Sequence, residues 1–430
     1  MDRPPQASPP VRGAYMALGL LLAMNLFNYI DRQVLAAVEP EIRQSLFPGV
    51  DPEGAGVKAM SGLLASAFLV SYMLTAPLFG ALAQRFPRWK LIAVGVLVWS
   101  LATGAGGLAT TFIVLFMTRC FVGVGEGAYG PLAPAILSDC FPVAKRGRIL
   151  SLFYVAMPVG GALGYALGGS MAKLDPVHES WRWAFYIVVI PGLILAVLSM
   201  LMREAPVGGA DAVSTRRRMT WSDCRILLRT PSFVFDTLGM TAMSFAMGAL
   251  AFWIPDYLQS HHVPALCRVE PRTVFGIITA LAGLGGTLAG GWIGDRFRER
   301  MPGSYFLVSG WGLLLSAPCV LLFLVAPFPW AWAAIFAAVF FMFLNTGPTN
   351  AILANVVHPI MRPAGFALNI LVIHLLGDVI SPPIIGAVSG CWSISVGFAL
   401  VSAFLALGGV LWLWGGRYLS HDTEIAPQRL

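Results

Sequence analysis

Gly80-Ala81-Leu82-Ala83-Gln84-Arg85-Phe86-Pro87-Arg88-Trp89-Lys90 and Gly291-Trp292-Ile293-Gly294-Asp295-Arg296-Phe297-Arg298-Glu299-Arg300 are two versions of one short basic loop in a chain of 430 residues. Each joins the second and third long apolar runs of its half of the chain. A repeat at half the chain length is the sign of a transporter built from two related helical bundles, with its site between them.

Outward from these loops the chain is 57% hydrophobic and only 11% charged, with a mean hydropathy of +0.75. Soluble domains carry about 25% charged residues. The apolar runs reach the ~20 residues a helix needs to cross hydrocarbon, and they lack the ~10-residue alternation of barrel strands. Twelve spans are expected, at 14–37, 58–84, 89–109, 111–139, 147–172, 182–202, 232–257, 272–295, 304–326, 329–355, 363–390 and 393–417. This predicts an all-α membrane protein of two pseudo-symmetric six-helix bundles, 14–202 and 232–417. Around them lie a disordered cytoplasmic N-terminus at 1–13, an inter-bundle loop at 203–231 and a cytoplasmic tail at 418–430. The N-terminal MDRPPQASPPVRG has four prolines and no apolar core, so it is not a signal peptide.

Lys and Arg set the expected orientation. With both termini in the cytoplasm, cytoplasmic segments hold twenty of the 28 basic residues and external segments six. That bias follows the positive-inside rule. It accounts for the net charge of +7 without nucleic acid, because the basic loops face anionic headgroups. The six cysteines show no metal-ligand spacing. Cys120, Cys140 and Cys319 read as small core residues, while Cys267 and Cys391 both fall outside, where a disulfide is open to them.

The two loops resemble the G-x-L-A-D-R-x-G-R-[RK] signature of the major facilitator superfamily, in which an acid and bases clamp the cytoplasmic gate. The first copy departs from it, with Gln84 for the Asp and Pro87 for the second Gly. A Gln cannot ion-pair, so the first gate is expected to lean on Asp139, with Arg85, Arg88 or Arg146, supported by Asp295 and Arg296. Topology-setting charge is the alternative reading of the basic loop residues. Arg119-x-x-x-Gly123-x-Gly125 is similar to the superfamily's R-x-x-x-G-x-G, and Pro158–Gly164 to its proline- and glycine-rich span-five motif. Taken alone, glycines four apart are packing devices that let helices approach closely.

A closer resemblance covers nearly the whole chain. Asn28-Tyr29-Ile30-Asp31-Arg32-Gln33, Gly123-Val124-Gly125-Glu126-Gly127-Ala128-Tyr129, Asp139-Cys140-Phe141-Pro142, Asn345-Thr346-Gly347-Pro348-Thr349-Asn350 and His374–Pro383 follow in order. Together they resemble the Spinster family, whose animal members export sphingosine-1-phosphate or release lysophospholipids. The short loops and lean termini point to a bacterial member in an inner membrane. The resemblance implies the major facilitator fold, alternating access and a lipid-like substrate, with Tyr129, Asn345 and Asn350 among the substrate-binding residues.

Asp31, Arg32, Arg119 and Glu126 lie inside spans, where an ionised side chain costs at least ~2.5–3.5 kcal/mol and marks a substrate or ion pathway. Asp31 lies roughly 9 Å and Arg119 roughly 12 Å from the outer ends of their spans at 1.5 Å per residue, so the two can pair. Glu126 is seven residues beyond Arg119, on the same face and about 10 Å deeper. A carboxylate near a fixed guanidinium can switch between ion-paired and protonated states, which is the chemistry of proton coupling. Glu126 and Asp31 are the coupling candidates. Arg119 and Glu126 are candidate substrate ligands, since guanidinium forks also fit phosphate and carboxylate. A static buried salt bridge is the bland alternative. Arg32 points about 100° from Asp31 and reads either as a gate residue or as an anchor that snorkels to headgroups. His374 and Asp378, four apart on one helix face, read as a helix contact or gate in preference to a proton relay. Asp236 reads as an interfacial or gate residue.

The function expected is proton-coupled transport of an amphipathic anion, such as a lysolipid or sphingoid phosphate, by a monomer with no cofactor and no metal. A small organic-anion symporter or a drug/proton antiporter of the same fold is the alternative. A membrane-embedded enzyme is disfavoured because no G-x-S-x-G, H-E-x-x-H or P-loop occurs. A substrate sensor is disfavoured by the short tail.

Overall fold

Within hydrocarbon a chain can satisfy its N–H and C=O groups only by forming helices or closed barrels, and this sequence forms helices throughout. The computed structural model describes residues 10–51, 55–172, 180–211, 224–260 and 271–429, and among these there is no strand. The spans are α1 (Ala14–Ala37), α2 (Ala55–Leu82), α3 (Arg88–Gly107), α4 (Phe112–Cys140), α5 (Val143–Met171) and α6 (Trp181–Leu201) in the first half. The second half has α7 (Pro231–Ser260), α8 (Pro271–Phe297), α9 (Ser304–Val325), α10 (Trp330–Val356), α11 (Pro359–Cys391) and α12 (Ile394–Gly415). All twelve expected spans are present, with ends moved by a few residues. Three spans are interrupted: α5 breaks at Val155, α10 breaks at Leu344 and Asn345, and α11 carries a π-helical turn over His374–Asp378. The residues 1–9, the loop residues 212–223 and Cys267 lie outside the described residues, and with Cys267 the disulfide left open between it and Cys391.

Burial is inverted relative to a soluble protein. Leu74, Ile113, Phe121, Ile190, Leu201 and Trp311 are exposed, whereas Asp31, Arg119, Glu126, Asp139 and Asp236 are buried. Such an apolar exterior around ionisable groups is what a lipid solvent selects.

The chain groups into two compact units. One holds Tyr15–Ala133 with Ala156–Glu204; the other holds Pro134–Val155, the residues from Ala205 onward and the N-terminal stretch to Ala14.

In the first unit two sets of glycines fix the helices that carry charge. On α4, Gly123 and Gly127 face α2, where Cβ atoms would run into Tyr72 and Ala76 backbone nitrogens at 2.9 and 3.3 Å. Gly125, turned about 200° away, faces α3, and a Cβ there would lie 2.6 Å from the Gly95 carbonyl oxygen and 2.7 Å from Trp99 N. On α5, Gly160, Gly164 and Gly168 form a ridge against α1, meeting Leu26, Ile30, Gln33, Val34 and Ala37. Small residues at spacings of four let backbones touch where the hydrophobic effect gives no drive between helices. Beyond Asp31, the end of α1 is sealed by Val34, Leu35, Val38, Ile42, Trp181 and Phe185.

In the second unit α5 begins against α8 and α10. A Cβ on Gly291 would lie 2.7 Å, and one on Gly347 2.6 Å, from the Gly147 carbonyl oxygen. After α12 the tail forms a helix, Leu419–Ile425. Its Asp422 accepts a 2.8 Å bond from Ser232 N and so caps the positive start of α7. Arg429 holds that cap by pairing with Asp422 and donating to Thr230 and to the Val356 carbonyl.

Gly125→Leu forces apart α3 and α4 and is expected to destabilise by ~1–3 kcal/mol, read as a lower melting temperature in detergent. Gly169→Ala, with nothing near its added Cβ, is expected to be neutral or to stabilise by up to ~0.5–1 kcal/mol.

Candidate functional site

The first unit gathers Asp31, Arg32, Arg119 and Glu126. Arg32 donates from Nε (2.8 Å) and Nη2 (2.6 Å) to Oε2 of Glu126, which is fully buried. Its guanidinium lies 4.7 Å from the Phe68 ring, 5.1 Å from Tyr72 and 5.2 Å from Tyr29. These faces stabilise the cation where water cannot. Arg119, 2% exposed, packs on the same Phe68 at 5.5 Å. One ring therefore receives two like charges. Asp31 accepts a 2.6 Å bond from Thr103.

The charges are incompletely satisfied. Nε and Nη1 of Arg119, Oδ1 of Asp31 and Oε1 of Glu126 have no hydrogen-bond partner within the protein. Asn28 lies beside Glu126, but its amide nitrogen is out of bonding geometry. Asp31 is within electrostatic reach of Arg119 without forming an ion pair. Each such orphan costs ~1–3 kcal/mol, so four in one cluster point to partners from outside the chain.

The expected Asp31–Arg119 contact is thus replaced by Arg32–Glu126, and the reason is side-chain direction. Contacts of Leu21 with Tyr129 and of Arg32 with Glu126 show that α1 and α4 run antiparallel. Side chains lean toward the N-terminus of their own helix. Arg32 therefore reaches along α1 toward Glu126, whereas Arg119 reaches the opposite way. Counting Cα depth ignored a guanidinium arm long enough to span that offset. Arg32 is not a headgroup anchor here. Phe68, Tyr72 and Thr103 were missed; the signal available was a pair of aromatics four apart on a span beside buried cations.

The gate candidates sort differently. Arg88 pairs with Glu204 at 2.6 Å in the first unit, and Arg85 is exposed. In the second unit Asp139 pairs with Arg362 at 2.5 Å. Asp211 bridges Arg362 (2.6 Å) and Arg146 (2.6 Å). Arg146 also donates to Asn355 (2.8 Å) and to the Ser138 carbonyl, and Arg362 to the Ala354 carbonyl. The network ties the ends of α4 and α5 to α10 and α11. Burial pushes the Asp211 carboxyl up, but Arg362 and Arg146 outweigh it and hold the group below the usual carboxylate range. Burial, with Arg362 nearby, holds His358 below the usual imidazole range. Asp295 accepts from Tyr305 (2.7 Å) and Arg148 N (2.9 Å) and pairs with the Arg148 side chain (3.5 Å), while Arg296 is exposed. Asp211 and Arg362 escaped notice because one lies in a linker and the other reads as a topology charge. A cleft of about 480 Å³ opens beside them, lined by Arg298, Asn355 and Thr423 among others.

Other candidates are engaged locally. Tyr129, buried, donates to the Leu21 carbonyl at 2.6 Å. Asn350 accepts from Tyr154 (2.9 Å) and donates to Thr346 (2.8 Å). Asn345 donates to the Met342 carbonyl at the break in α10 and keeps an unpartnered Oδ1. His374 Nδ1 sits 2.9 Å from Asp378 across the π turn. Among the described residues no three His, Cys, Asp or Glu converge as a metal site.

The sequence profile of the Major Facilitator Superfamily matches residues 21–377. Protein spinster homolog 3 of Danio rerio is 34% identical, over 96% of this chain and 87% of its own. Protein spinster homolog 1 of Homo sapiens is 37% identical, over 88% and 74%. The chain belongs to the Spinster family. As a member of that family it is an integral membrane transporter that works by alternating access, and not an enzyme. Its fold matches that of a bacterial homolog of the human lysosomal transporter Spinster in an inward-facing, unoccupied conformation. There the TM-score is 0.66 at 21% identity, covering 95% of this chain and 98% of that one. It also matches the proton:xylose symporter XylE, with a TM-score of 0.76 at 14% identity over 94% and 95%.

The bridge made by Asp211 yields a signed expectation. A carboxyl held low in the fold contributes stability above its unfolded pKa of about 3.9 and loses it as pH falls through the folded value. Asp211→Asn should lose up to roughly 3–5 kcal/mol at pH 7. The gap in melting temperature from the wild type should shrink as both are taken well below pH 4.

Proposed function

We propose that this Spinster-family protein couples proton movement to transport of an amphipathic anion of the lysolipid or sphingoid phosphate type. It would act as a monomer in a bacterial inner membrane, with both termini cytoplasmic. The orientation rests on the Lys and Arg bias, twenty residues against six. The observation that carries the reading is Arg119: a fully buried guanidinium with two N–H positions unpartnered, one ring away from an Arg32–Glu126 pair.

The proposed chemistry follows from those atoms. Protonation of Glu126 cancels its hold on Arg32. Arg32 and Arg119, both packed on the Phe68 ring, then present two forks to one phosphate, a group guanidinium binds bidentately. Loss of the anion returns Arg32 to Glu126 and expels the proton. Asp31, beside Arg119 and bonded on one oxygen only, is the second coupling carboxyl. The Glu126 carboxylate and the substrate anion thus compete for one set of cations, so proton and substrate favour each other's binding, which is a coupling free energy between two ligands. The Asp139–Arg362–Asp211–Arg146 network serves as the cytoplasmic gate, in place of the clamp that Gln84 cannot make.

In proteoliposomes, Glu126→Gln is expected to lose gradient-driven lysolipid uptake while counterflow, which needs no net proton movement, survives better. Wild-type gradient-driven rates in this variant would sink the coupling role. Arg119→Ala is expected to weaken substrate binding by roughly 10–100-fold, the equivalent of one or two charged hydrogen bonds, and Arg119→Lys to restore little. Unchanged affinity in Arg119→Ala would remove Arg119 from the substrate site. Uptake of a hexuronate in preference to a lysolipid would replace the lipid reading with a small-anion one.

A further inference from the structure

Asp236, one turn and a half into α7, is fully buried, and neither of its carboxyl oxygens has a hydrogen-bond partner. Its backbone carbonyl accepts from Trp412 Nε1 of α12 at 3.1 Å. A Cβ on the neighbouring Gly239 would meet the same indole at 2.5 Å, so α7 and α12 touch here without room for another group.

No cation offsets this carboxyl among the described residues. α12 and the second half of α10 contain no ionisable side chain. On α11, Arg362 is committed to Asp139 and Asp211, and His374 pairs with Asp378. In the tail helix, Asp422 is committed to Ser232 N and Arg429. On α8, Asp295 is committed to Tyr305 and Arg148, and Arg296 is exposed, as are Arg225 and Cys391 on the remaining neighbours. An ionised carboxylate taken out of water with neither donor nor counter-charge is strongly disfavoured, so such a group is carried as the neutral acid.

We propose that Asp236 is a further proton-binding carboxyl of this transporter, held in the α7–α12 packing and in a different compact unit from Asp31 and Glu126. It can ionise only when α7 and α12 part far enough to admit water or a cation, which links its proton to the movement of α7. That role in transport rests on the proton-coupled reading; its protonation in this packing does not.

Thermal unfolding of the wild type and Asp236→Asn from pH 5 to 9 tests the protonation. A neutral acid releases its proton on unfolding, so wild-type stability falls as pH rises. Asp236→Asn, a fixed neutral mimic, should fall less, with the gap widening in its favour toward pH 9. A constant gap, or a variant that loses stability at alkaline pH, overturns the proposal. Where the amide fails to fold, Asp236→Ser supplies the same comparison. Uptake into proteoliposomes then tests the role: gradient-driven uptake by Asp236→Asn should drop to the level of protein-free vesicles. A wild-type rate and pH profile in that variant would make Asp236 a static acid and end the proposal. If the wild type itself ignores the gradient, the proton-coupled reading fails, and with it the transport role of Asp236. The stability slope still decides whether it binds a proton.

Discussion

A carboxylate with no exposed surface, Glu126, held by a guanidinium resting on three aromatic rings, is the interaction on which the first unit depends. Neither ion is tolerable alone at that depth, because the desolvation cost of one is offset only by the other. Their meeting is possible because Gly123, Gly125 and Gly127 let α4 lie against α2 and α3, while the ridge of Gly160, Gly164 and Gly168 holds α1. The glycines are thus the indirect authors of the charge geometry. They set the backbone spacing, and the long Arg32 side chain covers the remainder.

The arrangement is stable without being complete. One cation, Arg32, is paired with Glu126, and the other, Arg119, keeps two donors unpartnered. Evolution could have removed these orphans with a neutral residue, at a gain in stability. On the proposed mechanism, the site trades that stability for binding and switching. In that mechanism Phe68 helps keep both guanidiniums in the site, since its ring attracts each of them.

The sequence was legible wherever a single physical rule governed. Hydropathy placed twelve spans because hydrocarbon admits few alternatives, and insertion cost singled out Asp31, Arg32, Arg119 and Glu126. Pairing was harder to read. Helix depth made Asp31 and Arg119 partners, but side-chain lean joined Arg32 to Glu126 instead. The clamp was half legible. Asp139 was singled out because Gln84 cannot ion-pair, yet its partner Arg362 lies 223 positions on, and Asp211 comes from a linker that composition marks only as flexible. Asp236 was visible as a charge near a span end. Its isolation depends on what α12 and α11 do not offer, which no local pattern reveals.

The displacement of the Glu126 carboxylate by a substrate anion on the same cations, with Glu126 taking up a proton, is tested most directly by proton uptake on binding. Purified protein in weakly buffered detergent solution would be titrated with a short-chain lysolipid phosphate while pH is followed with an indicator. The proposed coupling predicts that binding takes up a proton, and that Glu126→Gln abolishes the signal. Binding without proton uptake, or the same uptake in Glu126→Gln, would contradict it.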